Sequence, residues 1–144
     1  MARQPRGDMW AAVLAHRPVE VRDSVRDRFV ANGVTAGQVG AVLADAGDTL
    51  CAAATGADEG WADYFGGAVA VALLAAEVSA LVAHLNSRAS AVRARAVREL
   101  LDEYSAVSVA AHLGVARQKV YDIGRGQQDL DTFIDEVPWS NHDH

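Results

Sequence analysis

The segment from Ser105 to Gly124 constrains the fold of this chain more than any other part of its sequence. It reads SAVSVAAHLGVARQKVYDIG, with apolar residues at helical spacing on both sides of one internal glycine. Gly114 suits a tight turn because a residue without a Cβ reaches a positive φ at little cost. Ala110 is small enough to let a second helix cross close to the first. The pattern predicts two short helices that cross steeply around Gly114.

The apolar side chains of this segment predict which faces pack inward. We expect a shared core built from Val109, Leu113, Val115, Val120 and Ile123. Ser105 carries a hydroxyl that can cap the first helix.

This segment resembles the helix-turn-helix of bacterial and phage transcription regulators, in which an A-x-x-x-G-V turn is followed by R-x-x-V-Y. The close resemblance runs from about Ala106 to Arg125. It extends further if Ser90–Tyr104 forms the preceding support helix of a three-helix unit. Residues 1–85 lie outside the resemblance, so it indicates a class of regulator and no subfamily. Ala116 departs from the pattern, because these regulators often have Ser or Thr there to cap the recognition helix, and the loss of that cap costs about 1 kcal/mol.

The resemblance implies that Arg117–Gly124 is the recognition helix, whose N-terminal residues enter the major groove of DNA. Arg117 then suits guanine O6 and N7, and Gln118 suits adenine N6 and N7. Tyr121 and Asp122, one turn further on, would contact a base edge or the backbone.

Phosphate contacts are implied for Lys119 and Arg125, and such contacts position a protein without specifying sequence. The basic residues concentrate around them. Residues 88–126 carry a net charge of +3, against −4 for residues 1–87 and −5 for residues 127–144. Since phosphate contacts supply most of the non-specific affinity for DNA, the positive charge lies where DNA binding needs it. A helical hairpin that only packs would satisfy the same pattern.

The rest of the chain is expected to be helical, because no stretch alternates apolar and polar residues long enough for a strand. We predict an all-α fold in three parts. Residues 1–87 form a helical body that oligomerises or binds a partner or effector, and residues 88–126 form the DNA-binding unit. Residues 127–144 form an acidic tail with a short helix near Asp129–Val137. The tail is expected either to compete with DNA for the basic face or to bind a partner, with Trp139 as the apolar anchor.

Local signals place several helix boundaries. The stretch Thr35-Ala-Gly-Gln38 has capping-box form, and Asp48 is expected to cap the next helix. A long helix is expected from about Trp61 to Leu85, either through Gly66-Gly67 or starting after that pair. A break at Asn86-Ser87 then separates it from a helix over Ser90–Tyr104. The packed face of that last helix is expected to carry Val92, Ala96, Val97, Leu100, Leu101 and Tyr104.

The most apolar stretch, Gly66 to Leu85, has the length of a membrane span. It carries Glu77, Ser79 and His84, and a charge near the centre of a span costs several kcal/mol. We therefore expect a buried helix of a soluble bundle, with no membrane partner, and Val69–Leu85 as the candidate dimer element. The N-terminus has no sustained apolar run after its arginines, which favours a cytoplasmic protein.

No constellation for catalysis or metal binding stands out. Cys51 is the single cysteine, so an internal disulfide and a cysteine-based zinc site are excluded; we expect it to be a small core residue. His142 and His144 are the one pair whose spacing loosely resembles that of metal ligands, and we expect both side chains to be solvated. His112 is expected to be exposed or to neighbour a phosphate. We predict no enzyme activity and no cofactor.

Taken together, these features indicate a homodimer that represses or activates transcription by binding double-stranded DNA. Three alternatives use the same motif. The chain could be a DNA-binding factor of a phage or mobile element. It could be an antitoxin-like or adaptor protein whose N-terminal body binds a protein partner. It could also be a sensor with a small-molecule pocket in that body.

Overall fold

The computed structural model describes residues 6–56 and 58–138, and these residues form helices without a strand. The all-α prediction is confirmed for this part of the chain. Trp139, His142 and His144, to which the predictions for the tail refer, lie outside the described residues. The helices are α1 (Arg6–Val13), α2 (Val19–Ala31), α3 (Ala36–Ala44), α4 (Asp48–Gly56), a 3₁₀ helix (Trp61–Phe65), α5 (Ala68–Glu103), α6 (Ala106–Leu113) and α7 (Arg117–Gly124).

The chain divides into two compact units. The N-terminal unit comprises the described residues up to Val82 together with those from Ile134 onwards, and the C-terminal unit is Ala83–Phe133. Helix α5 runs through the boundary without interruption, so the predicted break at Asn86-Ser87 is wrong. Neither residue is a glycine or a proline, and each costs only a fraction of a kcal/mol inside a helix.

The core of the N-terminal unit is built from the inward faces of its helices. Its fully buried apolar side chains include Leu14, Phe29, Val39, Leu43 and Leu74. Trp10 of α1 stacks on Phe29 of α2 with ring centroids 5.9 Å apart, an arrangement that aromatic pairs favour.

The start of α3 has the predicted capping box. The Thr35 hydroxyl accepts from the backbone N–H of Gln38 at 3.1 Å, and the Gln38 side chain accepts from the backbone N–H of Thr35 at 2.8 Å. Two N–H groups that the first turn of a helix leaves without partners are therefore satisfied.

The cap of α4 is Asp45 and not Asp48, which is a correction to the sequence prediction. The Asp45 carboxylate accepts from the backbone N–H groups of Gly47, Asp48 and Thr49 at 2.8–3.2 Å, and from the Thr49 hydroxyl at 2.7 Å. The Thr49 hydroxyl and then these backbone groups lower the pKa of Asp45, although desolvation opposes them. Asp48 is itself the first residue of the helix.

Helix α5 starts after the glycine pair, the second of the two predicted alternatives. Gly66 and Gly67 both have φ of +109°, a backbone conformation that interrupts a helix and that glycine adopts readily. The residues before the pair form the separate 3₁₀ helix.

The first half of α5 buries one face only. Ala70, Leu74, Glu77 and Leu81 recur at helical spacing and are buried, whereas Val69 is 59% exposed. An 18-residue stretch of α5 is apolar enough and the helix long enough to cross a membrane, and 22% of that stretch is buried. The expected burial therefore holds along one face of the helix only, because no described residue covers the other face.

Glu77 is the acid that the apolar stretch contains, and it is 1% exposed. Its Oε2 lies 2.6 Å from His16 Nε2 and accepts from Arg17 Nε at 2.9 Å, while its Oε1 accepts from Arg17 Nη2 at 2.9 Å. Burial alone would raise the pKa of Glu77, but the hydrogen bonds from His16 and Arg17 and the charge of Arg17 lower it below its usual value. This cluster was not predicted, because His16 and Arg17 are 61 and 60 positions away from Glu77 in the sequence.

Two further predictions for the body and tail are wrong. Cys51 is exposed on α4 and is not a core residue. No helix forms near Asp129–Val137. There the Asp129 side chain accepts from the backbone N–H of Asp131 at 3.0 Å, a local turn that competes with helix formation.

Candidate nucleic-acid interface

Helices α6 and α7 are joined by a turn at Gly114. The Ser105 hydroxyl caps α6 by accepting from the backbone N–H of Ser108 at 3.1 Å, as predicted. Gly114 ends α6 with φ of +70° and ψ of +34°. Ala116 has the extended backbone of an N-cap but makes no side-chain bond to α7. The turn is tight because Val115 N–H already donates to the carbonyl of Ala110 at 3.1 Å.

One buried cluster draws on the second half of α5 and on both short helices. It consists of Val97, Val109, Ala110, Val120 and Ile123, and the partly buried Leu100, Leu101 and Val115 pack against it. Gly124 lies so close to α5 that an added Cβ would meet Leu101 Cδ1 at 3.6 Å and Arg98 Cδ at 3.4 Å. This packing holds α7 by its inner face and leaves its outer face to solvent.

Leu113 does not belong to this core, although the sequence predicted it there. It is 41% exposed. Its spacing from Val109 places it on the inward face, but it is the last residue of α6. Val115, just beyond the turn, packs against the cluster instead.

The packed face of the second half of α5 is rotated from the predicted one. Ala91, Ala94 and Val97 are buried, whereas Val92 and Tyr104 are exposed. The prediction favoured the larger side chains, but the small alanines let the chain after α7 approach α5. An added Cβ on Gly126 would meet Ala94 Cβ at 3.5 Å.

Every residue that the resemblance implied for DNA contact is exposed, either on the outer face of α7 or, for Arg125, at its C-cap. These residues are Arg117, Gln118, Lys119, Tyr121, Asp122 and Arg125. Val120 and Ile123 are buried on the opposite side. The front end of α7, at Arg117, is therefore open to solvent, and His112 on α6 is exposed as expected.

Polar contacts along this face link three of its side chains. Asp122 accepts from the Gln118 amide at 3.3 Å and forms an ion pair with Arg125. Arg117 and Lys119 have no carboxylate partner in the part of the chain that the structure describes. Their charges are available to an external anion, whereas that of Arg125 is partly compensated.

Two other surfaces lie in the N-terminal unit. One is a cavity of about 410 Å³, with Val42, Phe65 and Leu74 as its apolar lining and Asp45 among its polar residues. The second, here called the uncharged face, is the exposed side of the first half of α5. It consists of Ala68, Val69, Ala72, Ala75, Ala76, Ser79 and Val82.

Comparison with protein-family models, with curated proteins and with solved structures finds no match to this chain. Within residues 6–56 and 58–138, no group of three or more His, Cys, Asp or Glu side chains is arranged to hold a metal ion. The candidate site therefore rests on the geometry and charge of α6, α7 and their turn.

Proposed function

We propose that this chain binds double-stranded DNA sequence-specifically through α6, the turn at Gly114 and α7, as a cytoplasmic transcription regulator that acts as a homodimer. The observation that supports the proposal most is the exposure of the outer face of α7 while Val120 and Ile123 fix its inner face. A helix held in this way can enter the major groove with its N-terminal end leading. The second half of α5 is then the support helix of a three-helix unit.

Base recognition would fall to Arg117 and Gln118 at the front of α7. An arginine donates two parallel hydrogen bonds to guanine O6 and N7, and a glutamine pairs with adenine N6 and N7. The Gln118 amide gives one N–H to Asp122. Its second N–H and its carbonyl oxygen remain for adenine, so Asp122 orients Gln118 without blocking it.

Backbone contacts would come from Lys119 and Arg125. Lys119 has no carboxylate partner among the described residues, so its charge is fully available to a phosphate. Arg125 is paired with Asp122, and a phosphate would compete with that carboxylate. Lys119 is therefore the stronger candidate for non-specific affinity.

A homodimer is supported by the uncharged face of α5. Glu77 is the one charged residue between Asp63 and Arg88, and it is buried. Small side chains let two such helices approach closely, and a two-fold axis needs a surface that complements itself. The face adjoins an apolar groove of about 280 Å³ that includes Leu50 and Trp61, which enlarges the apolar area.

The DNA proposal is tested by fluorescence anisotropy with the chain's own upstream region and with a scrambled duplex. Arg117→Ala is expected to cost about 1–3 kcal/mol on the specific duplex and to relax specificity. Lys119→Ala is expected to weaken both duplexes alike and to reduce the salt dependence. Arg28→Ala, an exposed arginine on α2, is the matched control and should match wild type. Equal binding by all three variants and wild type would contradict the assignment of α7 as the recognition helix.

A small-molecule sensor is the second candidate, and the cavity of about 410 Å³ favours it because ligand sites have this size and combine apolar lining with polar groups. Tyr64, 83% exposed, stands at the cavity. The neutral dye Prodan should shift to the blue with wild type. Ala41→Phe would fill the cavity and abolish the shift, whereas Ala44→Phe, exposed on the same helix, should preserve it. A blue shift of Prodan that persists in Ala41→Phe would contradict this site.

The remaining alternatives share the DNA contact and differ in the partner. An antitoxin-like or adaptor protein would carry a second protein on the N-terminal unit. A stoichiometric partner that co-purifies with the chain from its native cell, and that Ala76→Glu releases, would favour this alternative over a homodimer.

A further inference from the structure

A groove of about 320 Å³ lies within the C-terminal unit, between α5, α7 and the residues that follow α7. Its floor is apolar, with Ala91 and Ile123 buried beneath it. Its walls are polar, and one comes from α5 while the other comes from α7. The groove was not part of the sequence-predicted site.

Each wall contributes one cation. Arg93 extends from α5 and Lys119 from α7, and both are exposed. Neither has a carboxylate partner among the residues that the structure describes. Arg95, two positions along α5, is by contrast paired with Glu99 at 3.6 Å. The groove therefore brings together two cations, neither of which forms an ion pair with a described carboxylate.

Hydroxyl donors continue the α5 wall. Ser87, Ser90 and Arg93 follow one another at intervals of three residues and all line the groove, because residues three apart lie on one side of a helix. The carboxylate on the α7 wall belongs to Asp122, which already forms an ion pair with Arg125 and accepts a hydrogen bond from Gln118. Its negative charge is thus largely compensated before any ligand arrives.

We propose that this groove binds a phosphoryl anion, held by Arg93 and Lys119 from opposite walls and by the hydroxyls of Ser87 and Ser90. A phosphoryl group presents several acceptor oxygens, which suits a site with cations and hydroxyl donors on two sides. The group is either a phosphate of the DNA backbone, which rests on the function proposed above, or the phosphate of a free small molecule. In both cases Arg93 acts together with Lys119.

The experiment uses the full chain and two readouts. The first is the melting temperature in sodium pyrophosphate against sodium chloride of the same ionic strength. The second is the affinity for a random-sequence duplex over a series of salt concentrations. The variants are Arg93→Ala, the charge-preserving Arg93→Lys, and Arg95→Ala as the control on the same helix.

We expect Arg93→Ala to bind the duplex about tenfold more weakly and to lower the slope of log affinity against log salt by about 1. Arg93→Lys should keep most of the affinity, and Arg95→Ala should behave as wild type. This result assigns the groove to a backbone phosphate. If pyrophosphate stabilises wild type and not Arg93→Ala while duplex affinity is equal, the groove binds a free phosphorylated ligand.

The proposal is overturned if Arg93→Ala and Arg95→Ala are indistinguishable in both readouts. Its failure differs from failure of the proposed function. If wild type binds no duplex but pyrophosphate raises its melting temperature in an Arg93-dependent way, the anion site in the groove is supported and the proposed DNA binding is contradicted. The helical circular dichroism signal of each variant identifies any loss of fold. If Arg93→Ala does not fold, Arg93→Lys is compared with wild type and with Arg95→Ala in its place.

Discussion

Glu77 is a carboxylate inside an apolar helix, and residues 60 and 61 positions away in sequence hold it there. Transferring such a charge from water costs several kcal/mol unless hydrogen bonds and an opposite charge compensate for it. His16 and Arg17 supply both, and together they occupy its two oxygens. The cluster ties the connection between α1 and α2 to α5 within the N-terminal unit.

Glu77→Gln is expected to lower the free energy of unfolding at pH 7 by about 3 kcal/mol, because it removes one charge of a buried pair. The folded state lowers the pKa of Glu77 below its ordinary value of 4.5. The carboxylate therefore adds stability above pH 4.5, and this contribution disappears as the pH falls through the folded-state pKa. Urea unfolding between pH 7 and pH 3 should show a larger loss of stability in wild type than in Glu77→Gln, which keeps only the acid-sensitive contribution of groups such as Asp45.

The control for this measurement is Glu20→Gln, an exposed acid on α2. It should leave both the stability at pH 7 and the acid-induced loss close to those of wild type. Parallel pH profiles for wild type and Glu77→Gln would contradict a compensating role for His16 and Arg17.

Residues with local partners could be predicted, and residues with distant partners could not. The capping pair Thr35 and Gln38 is three positions apart, so the motif itself contains the geometry. Nothing near Glu77 in sequence points to His16 or Arg17. The sequence showed only that a charge interrupts an apolar stretch.

The turn between α6 and α7 depends on one backbone conformation. Gly114 has φ of +70°, and the space where a Cβ would lie is empty within 4 Å. A substitution here would therefore meet conformational strain and no clash. Because α7 starts three residues later, the same φ decides the direction of the helix that carries Arg117.

Gly114→Ala is expected to destabilise the chain by about 1–2 kcal/mol, the cost of a left-handed conformation for a residue with a Cβ. Gly37→Ala is the matched control, since Gly37 lies in α3 without a positive φ and its Cβ would have ordinary contacts. That change should stabilise by about 0.5–1 kcal/mol. Thermal unfolding followed by circular dichroism measures both, and a neutral Gly114→Ala would show that the turn tolerates another geometry.

At the level of helices, the type was predictable throughout, and the extent was predictable only where local signals mark the ends. The bounds of α6 agree with the pattern because Ser105 caps its start and Gly114 ends it. Asn86-Ser87 gave a false break, since weak helix formers do not end a helix that packing supports on both sides. The candidate site keeps its predicted residues on α7, but Arg93 was missed because only the fold brings it beside Lys119.

At the scale of the whole molecule, the uncharged face is a long exposed surface among the described residues, and it spans one side of α5 from Ala68 to Val82. Large exposed apolar patches commonly mark a surface that binds a protein or a membrane. The homodimer proposed above would bury this face, and it would supply the two copies of α7 that two half-sites on DNA require.

Ala76→Glu is expected to convert a dimer to a monomer in analytical ultracentrifugation, because two buried carboxylates would face each other across the axis. Val30→Glu places the same charge on an exposed position of α2 and should leave the dimer intact. The monomeric variant should also lose affinity for a duplex with two half-sites more than for one with a single half-site. A wild type that stays monomeric and partitions into phosphatidylcholine vesicles would contradict the dimer and favour a membrane.

Cys51 lines the apolar groove beside the uncharged face, and it is the chain's single thiol. A maleimide fluorophore or a spin label can thus be attached to the native sequence at one known position without mutagenesis. In the proposed homodimer, the distance between two such labels would measure how far apart the two α4 helices lie. The same thiol can oxidise to an intermolecular disulfide, so reductant in the buffer separates true association from an adventitious covalent link.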